Sequence, residues 1–317
     1  MMPLPIRWDG HPIAVPGLYA GVPIAEHHNQ LTDAPSVSRS GLWKIFNESP
    51  AHYFLTSYLN PEREPVEESE PMLFGRGAHH VLLGEADFDR HFIVRPERID
   101  DPKDGNVPWN SIRNSCKAWL AHARDRGLTV LTPAQIKSIR GMAEGLAENP
   151  LVQAGILSGL IEHTFCWRDA ETGVWLKIRP DAIPTDAADF SDLKTAADVT
   201  DAGIEEAIGR DGLAMQAAMT GMACREVLGV EMTSFSLVFA EKAPPHVARV
   251  KTLKPADIEL GERQVRAALR VFARCLDTGI WPGPGGVQTD AEYVEMKPYH
   301  RTKIENRLAV LEMEMAA

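Results

Sequence analysis

The chain has 317 residues, 44% of them hydrophobic and 24% charged, which supplies enough apolar material for a sizeable core and excludes a disordered or fibrous chain. A formal charge of −11 excludes a protein that coats nucleic acid through uniform basicity, because Lys and Arg neutralise phosphate. It leaves room for a local basic channel, since carboxylates that hold a divalent cation add negative charge at the site itself.

In chain order, residues 38–59 are predicted helical with a break near Ser49-Pro50, and the acidic, proline-flanked residues 61–71 are a predicted solvated loop. A compact apolar helix over residues 72–83 carries Gly75, Arg76, Gly77, His79 and His80, and residues 101–108 are predicted as a second loop. Thr132-Pro133-Ala134-Gln135 has the form of a capping box with proline at the first helical position, followed by Ile136, Ile139, Ala143 and Leu146 on one face. From residue 162 the period changes. Residues 162–168 and 174–179 are predicted strands around a turn at 169–173, and residues 188–195 are a third strand. A helix over 212–228 follows, in which Met215, Met219 and Met222 are core residues at helical spacing. Phe235, Leu237 and Phe239 alternate as in a strand with one buried face, and residues 246–252 are placed to pair with it. Ile258, Val265, Leu269, Phe272 and Leu276 trace a late helix that Gly279 and Pro282 terminate. This order predicts an α/β (α+β) fold, a mixed sheet flanked by helices, in a single domain over residues 1–282. Its helical part is 1–160, its catalytic core 161–282, and residues 283–317 are a tail.

No segment approaches the roughly 18 apolar residues of a membrane span, and residues 1–16 lack an apolar run behind a basic flank. A soluble, unprocessed, cytoplasmic protein without a membrane partner is expected. Cys116, Cys166, Cys224 and Cys275 are scattered, which predicts reduced core thiols and neither a zinc nor an iron–sulfur site.

The segment that carries chemistry runs from Arg179-Pro180-Asp181 to Asp192-Leu193-Lys194. Phosphodiester hydrolysis needs a metal to lower the pKa of water and neutralise charge on phosphate, and carboxylate oxygens suit magnesium. Strand alternation projects Asp192 and Lys194 to one side, turns Leu193 inward, and leaves its carbonyl available as a ligand. An unperturbed lysine titrates near pH ~10.4, so Lys194 is assigned to orienting water and stabilising transition-state charge. Glu162 adds a candidate carboxylate and His79 a candidate nitrogen ligand or phosphate contact. Taken alone, Asp-x-Lys on a strand is more often a solvated face; the coincidence with Pro-Asp at hairpin distance carries the reading.

At these residues the chain resembles the exonuclease VIII family, the RecE-type phage nucleases of the PD-(D/E)xK superfamily, over roughly residues 17–281. The resemblance rests also on Ser38-Arg-Ser-Gly-Leu-Trp43, Glu48-Ser-Pro-Ala-His-Tyr53 and Phe74-Gly-Arg-Gly-Ala-His79-His-Val-Leu-Leu83. It implies a restriction-endonuclease-like core behind a helical N-terminal portion. His79, Glu162, Asp181, Asp192 and the Leu193 carbonyl would form the metal site, and Asp181, Asp192, Lys194 and Glu162 would act in catalysis. The cofactor implied is Mg2+, with Mn2+ as a substitute. The implied activity is 5′-to-3′ degradation of double-stranded DNA from its ends by a ring-shaped homo-oligomer, in phage or prophage recombination with a single-strand annealing protein. Relatives carry Gln-x-x-x-Tyr on the helix after the catalytic strand; here Gln216 is present and Thr220 stands at the tyrosine position. Gln216, Arg76 and Arg179 are assigned to DNA binding or to organising the site. Two other readings compete: a flap or internal-site endonuclease, and a non-catalytic DNA-binding or assembly protein on a decayed nuclease fold.

Overall fold

The computed structural model describes residues 4–64, 69–185, 188–287 and 289–316. Strands β1 (Ile6–Arg7), β2 (Gly17–Ala20) and β3 (Ser36–Ser38) precede a short parallel ribbon of β4 (Phe92–Val94) with β7 (Thr129–Leu131), which encloses a hairpin of β5 (Arg98–Asp101) and β6 (Gly105–Pro108). Then come β8 (Leu160–Ile161), β9 (Thr164–Arg168), β10 (Trp175–Ile178), β11 (Ala182–Ile183), β12 (Asp189–Ala196), β13 (Ser234–Glu241) and β14 (Ala248–Thr252). The described residues form two five-stranded sheets, ordered β1-β2-β9-β10-β3 and β14-β13-β12-β11-β8.

Both sheets are mixed: β12 runs parallel to β13, while β11 and β14 are antiparallel to their neighbours. The mixed α/β fold read from the sequence is therefore present, but as two sheets rather than one. The hairpin β9–β10 belongs to the first sheet, and the chain leaves β10 through Arg179-Pro180-Asp181 to enter the second as β11. Proline lacks the N–H a ladder needs, so Pro180 is suited to this corner. All four residues of β10, Trp-Leu-Lys-Ile, are buried, as expected of a strand covered on both faces.

The second sheet is covered on both sides. On one face, Phe190, Phe235, Leu237 and Phe239 pack with the helices Leu213–Ala223 and Pro255–Thr278 in the largest core cluster. On the other, Leu193, Val238 and Ala240 meet Phe74, Ala78, Ile139, Met142 and Leu146 from the helices Glu70–Leu82 and Pro133–Glu148. The helix Leu213–Ala223 is buried nearly all round, with Met215, Met219 and Met222 in the core. Gly261 lets the long helix approach it closely, since a Cβ there would stand 2.3 Å from the Ala214 carbonyl oxygen. The Thr132 capping box forms as predicted, and the long helix ends at Gly279 in the left-handed region.

Several expectations change. Residues 101–108 are the β5–β6 hairpin, closed by Asp101 Oδ1 accepting from the Lys103 N–H and by Gly105 at φ 72°. The first 40 residues add strands to the first sheet, where little but helix was expected upstream of residue 160. Of the acidic segment, residues 70–71 begin the helix Glu70–Leu82, and residues 65–68 lie outside the described residues. The tail carries a helix, Pro298–Ala316. The four cysteines are free and buried, and no helix among the described residues is long and apolar enough to cross a membrane.

Candidate active site

Strand β12 sets the site. Leu193 is fully buried against one set of helices, while Asp192 and Lys194 emerge on the opposite face, as strand alternation requires. The Lys194 ammonium meets Asp192 Oδ2, in a geometry that makes no hydrogen bond. The other oxygen, Oδ1, accepts from Gln216 Nε2 at 2.5 Å.

Asp181 arrives at the sheet corner. Pairing of β11 with β12 stops at Ala182 and Ser191, so the Leu193 N–H beyond it has no strand partner and donates to Asp181 Oδ2 at 2.7 Å. Within a strand the N–H and C=O of one residue face the same edge, so the Leu193 carbonyl faces the side on which Asp181 lies. Asp181 Oδ1 stands 3.4 Å from His79 Nδ1, on the helix Glu70–Leu82.

Glu162 lies between β8 and β9, with a left-handed backbone at φ 56° and its N–H donating to the Asp181 carbonyl. The sequence reading placed it at the opening of the first hairpin strand, but that strand begins two residues later, at Thr164. A non-glycine residue at positive φ is costly and tends to mark a functional position. Arg179 holds the Glu162 carboxylate through Nε and anchors itself to the Val22 carbonyl through Nη1 at 2.7 Å. Ligand atoms of His79, Glu162 and Asp181 all lie within 4.8 Å of one another.

Burial and neighbouring charges set the protonation of these groups. Burial raises the Asp192 carboxyl and neighbouring Asp181 raises it further, against the lowering pull of Lys194. Burial also raises Asp181, but His79, Lys194 and the Leu193 N–H outweigh it and hold that carboxyl below the ordinary range. Glu162 is pushed up to about 7 by burial, with Asp181 and Glu85 adding to the effect and Arg179 opposing it. Burial lowers His79, yet Asp181 more than compensates and keeps the imidazole basic. Partly and fully buried carboxylates beside one another, one oxygen of Asp192 having no hydrogen bond, form an oxygen-rich donor set with one imidazole. Such a set suits a hard divalent cation.

The structure thus brings together His79, Glu162, Asp181, Asp192, Leu193, Lys194, Gln216 and Arg179. Arg76, three residues before His79 on the same helix, donates to Thr129 Oγ1 and lies over the Phe92 ring at 5.9 Å to the centroid. Thr220 is buried and donates to the Gln216 carbonyl, 3.0 Å away and one helical turn back. Sequence reasoning gave no role to Arg39. Its guanidinium donates to Gln216 Oε1 at 3.1 Å and to the Asp211 carbonyl at 3.0 Å, which fixes the Gln216 amide so that its NH2 points at Asp192. The signal was the Ser-Arg-Ser segment, where Ser38 caps the helix Arg39–Asn47.

A family model described as a PDDEXK-like domain of unknown function (DUF3799) matches residues 38–294. The chain belongs to this family. In fold, this PDDEXK-like chain is similar to the crystal structure of a candidate exonuclease from Eubacterium rectale, with a TM-score of 0.55 at 13% sequence identity. The similarity covers 88% of this chain and 94% of that one. No curated protein matches the sequence.

Proposed function

We propose that this PDDEXK-like chain is a divalent-metal-dependent exodeoxyribonuclease that degrades duplex DNA from its ends. The observation that carries the reading is the grouping of His79, Glu162 and Asp181, with the Asp192–Lys194 pair beside Asp181, from four separate segments. A surface of solvated acids would not bury Asp181 and Asp192 together, because neighbouring carboxylates in a low-dielectric site repel, and at Asp192 the charges of Lys194 and His79 offset burial and Asp181 only in part. In a decayed nuclease fold nothing would maintain that crowding.

His79, Glu162, Asp181, Asp192 and the Leu193 carbonyl would hold the ion, Mg2+ or in its place Mn2+. When bound, it supplies a water of lowered pKa and neutralises charge on the scissile phosphate. Lys194 orients the attacking water and stabilises the negative charge that develops on phosphate. Gln216 holds Asp192 through Oδ1 while Lys194 lies against Oδ2, which fixes the orientation of the carboxylate. Arg179 positions the Glu162 carboxylate and opposes the rise that burial causes, which favours its oxygen-donating form. We assign residues 1–282 to one nuclease domain. We further assign the chain to phage-type recombination in a bacterial cytoplasm, with 5′-to-3′ polarity, a ring-shaped homo-oligomer and a single-strand annealing partner.

The test is digestion of 5′- and 3′-labelled linear duplex, beside closed circular duplex, with Mg2+, with Mn2+ and with chelator. The expected result is metal-dependent release of mononucleotides from the 5′ ends and an intact circle. Cleavage of the circle would assign the site to an endonuclease instead, and activity undiminished by chelator would overturn the metal reading.

A further inference from the structure

Glycine is the poorest helix former after proline, because it gives up the most backbone freedom. Inside a helix it is explained when packing leaves no room for a side chain. Gly41 and Gly77 meet that condition: a Cβ at Gly41 would stand 2.8 Å from the Tyr53 ring, and one at Gly77 2.8 Å from Leu131. Gly75 does not. It is the sixth of the 13 residues of the helix Glu70–Leu82, and a Cβ there would meet nothing within 4 Å. Its neighbours all serve the fold: Phe74 and Ala78 lie in the core, Arg76 donates to Thr129 Oγ1, and His79 faces Asp181. Among the described glycines within helices, the other with open space is Gly209, the penultimate residue of the helix Asp201–Arg210, where helices fray and glycine costs little.

Position gives this bare spot a meaning. Gly75 stands four residues before His79, so both lie on one face of the helix, about 6 Å apart along its axis, and the His79 side chain leans back over the turn that holds Gly75. The members of the candidate site that reach solvent mark its mouth: the side chains of His79, Lys194 and Glu162 are 24%, 24% and 19% exposed, against 10% and 2% for Asp181 and Asp192. His79 is thus on the rim, and half-buried Gly75 continues that rim along the helix. A DNA strand advances about 3.4 Å per nucleotide, so a strand whose scissile phosphate sits at the site has its next two nucleotides within reach of Gly75.

We propose that the DNA strand being cut runs across the bare backbone at Gly75, which seats it beside the candidate metal site. The sugar–phosphate chain occupies the space that a side chain would fill, as glycine permits wherever a ligand approaches the main chain closely. Gly75 is a contact for the substrate and takes no part in bond cleavage. The inference rests on the nuclease reading for its ligand, DNA, and adds to it a path for the strand.

The experiment separates binding from turnover. Fluorescence anisotropy of a labelled linear duplex is measured with Ca2+, which takes oxygen ligands in a looser shell than Mg2+, to hold the strand uncut. The full chain is compared with Gly75→Ala, Gly75→Gln, Gly75→Glu and, as a control, Gly209→Gln; thermal melting and nucleotide release with Mg2+ are followed on the same proteins. Gly75→Ala should raise the melting temperature by about 2 °C, because the space is open and alanine favours the helix, yet weaken DNA binding about fivefold. Gly75→Gln should weaken binding about 100-fold, and Gly75→Glu, of the same shape, about tenfold more, because its charge faces phosphate. Gly209→Gln should bind as the full chain does. Four results would overturn the contact: Gly75→Gln binding or releasing nucleotides as well as the full chain, Gly75→Glu binding no more weakly than Gly75→Gln, Gly209→Gln losing as much as Gly75→Gln, or a full chain without affinity for the duplex. A melting temperature lowered by Gly75→Ala would also overturn it, by showing that the fold itself fills the space. Binding that the Gly75 variants lose, in a chain that releases no nucleotide with Mg2+, would refute hydrolysis and keep the contact.

Discussion

Lys177 offers a quantitative test of how this fold handles charge. It is 2% exposed in the middle of β10, with its ammonium donating to the Asn29 carbonyl at 2.6 Å and lying 5.2 Å from the centre of the Tyr58 ring. Burial pushes it down to about 8 from 10.5, and the neighbouring Cys166 thiol only partly offsets that. At ~1.36 kcal/mol per pH unit, the fall corresponds to a penalty of about 3 kcal/mol for keeping the charge inside the fold. The penalty is in full force below about pH 8, where folded and unfolded chains both carry the proton. Between about 8 and 10.5 the unfolded chain holds a proton that the folded one has released, so stability rises with pH across that window. Lys177→Met removes the charge and keeps the length. It forfeits one hydrogen bond, about 1 kcal/mol, but the Asn29 carbonyl still accepts from the Leu31 N–H at 2.9 Å. The variant should therefore be about 2 kcal/mol more stable than the native chain at about pH 7, and roughly equal to it at about pH 9.5. Urea unfolding at the two pH values, with equal m-values, measures the difference. A variant less stable at neutral pH, or one whose advantage is the same at both, would refute the reasoning.

Four further outcomes are expected. Asp192→Ala and Lys194→Ala should each lower metal-dependent nucleotide release at least ~100-fold while the protein stays folded by circular dichroism, and full activity in either would remove that residue from the site. Arg39→Lys cannot satisfy Gln216 and Asp211 together as a planar fork does; it should reduce turnover about tenfold and weaken Mn2+ binding in calorimetry, with little change in melting temperature. Gly261→Ala drives a methyl into the Ala214 carbonyl and should destabilise the chain by about 1–3 kcal/mol, measured by thermal melting. Thr132→Ala removes half of a capping box and should cost about 1 kcal/mol by the same assay.

The parts legible in the sequence are those governed by local periodicity. Asp192, Leu193 and Lys194 alternate because any strand alternates, and the Thr132 capping box depends only on residues three apart. The β9–β10 hairpin announced itself through the Asp169–Gly173 turn, where Thr172 donates to Asp169 and Gly173 adopts φ 71°. What escaped was set by long-range contact. Arg39 and Gln216 are 177 residues apart, and no spacing rule connects them. The left-handed backbone of Glu162 is imposed by its bond to the Asp181 carbonyl, not by its own preference. The β5–β6 hairpin is mostly charged and polar, without the apolar alternation that marks a strand, so it looked like a loop. β1, β2 and β3 are two to four residues long and are strands only because β9 and β10 offer edges to β2 and β3, and β2 in turn offers one to β1.

The assembly of the pocket from His79, the Glu162 turn, the Asp181 corner, β12 and the helix Leu213–Ala223 has a consequence for biosynthesis. A nascent chain that has emerged only as far as β11 possesses His79, Glu162 and Asp181 but neither Asp192 nor its Gln216 brace. The proposed site thus closes only once residues 192–216 have joined those three, and a chain that stops at β11 holds part of the donor set without the rest.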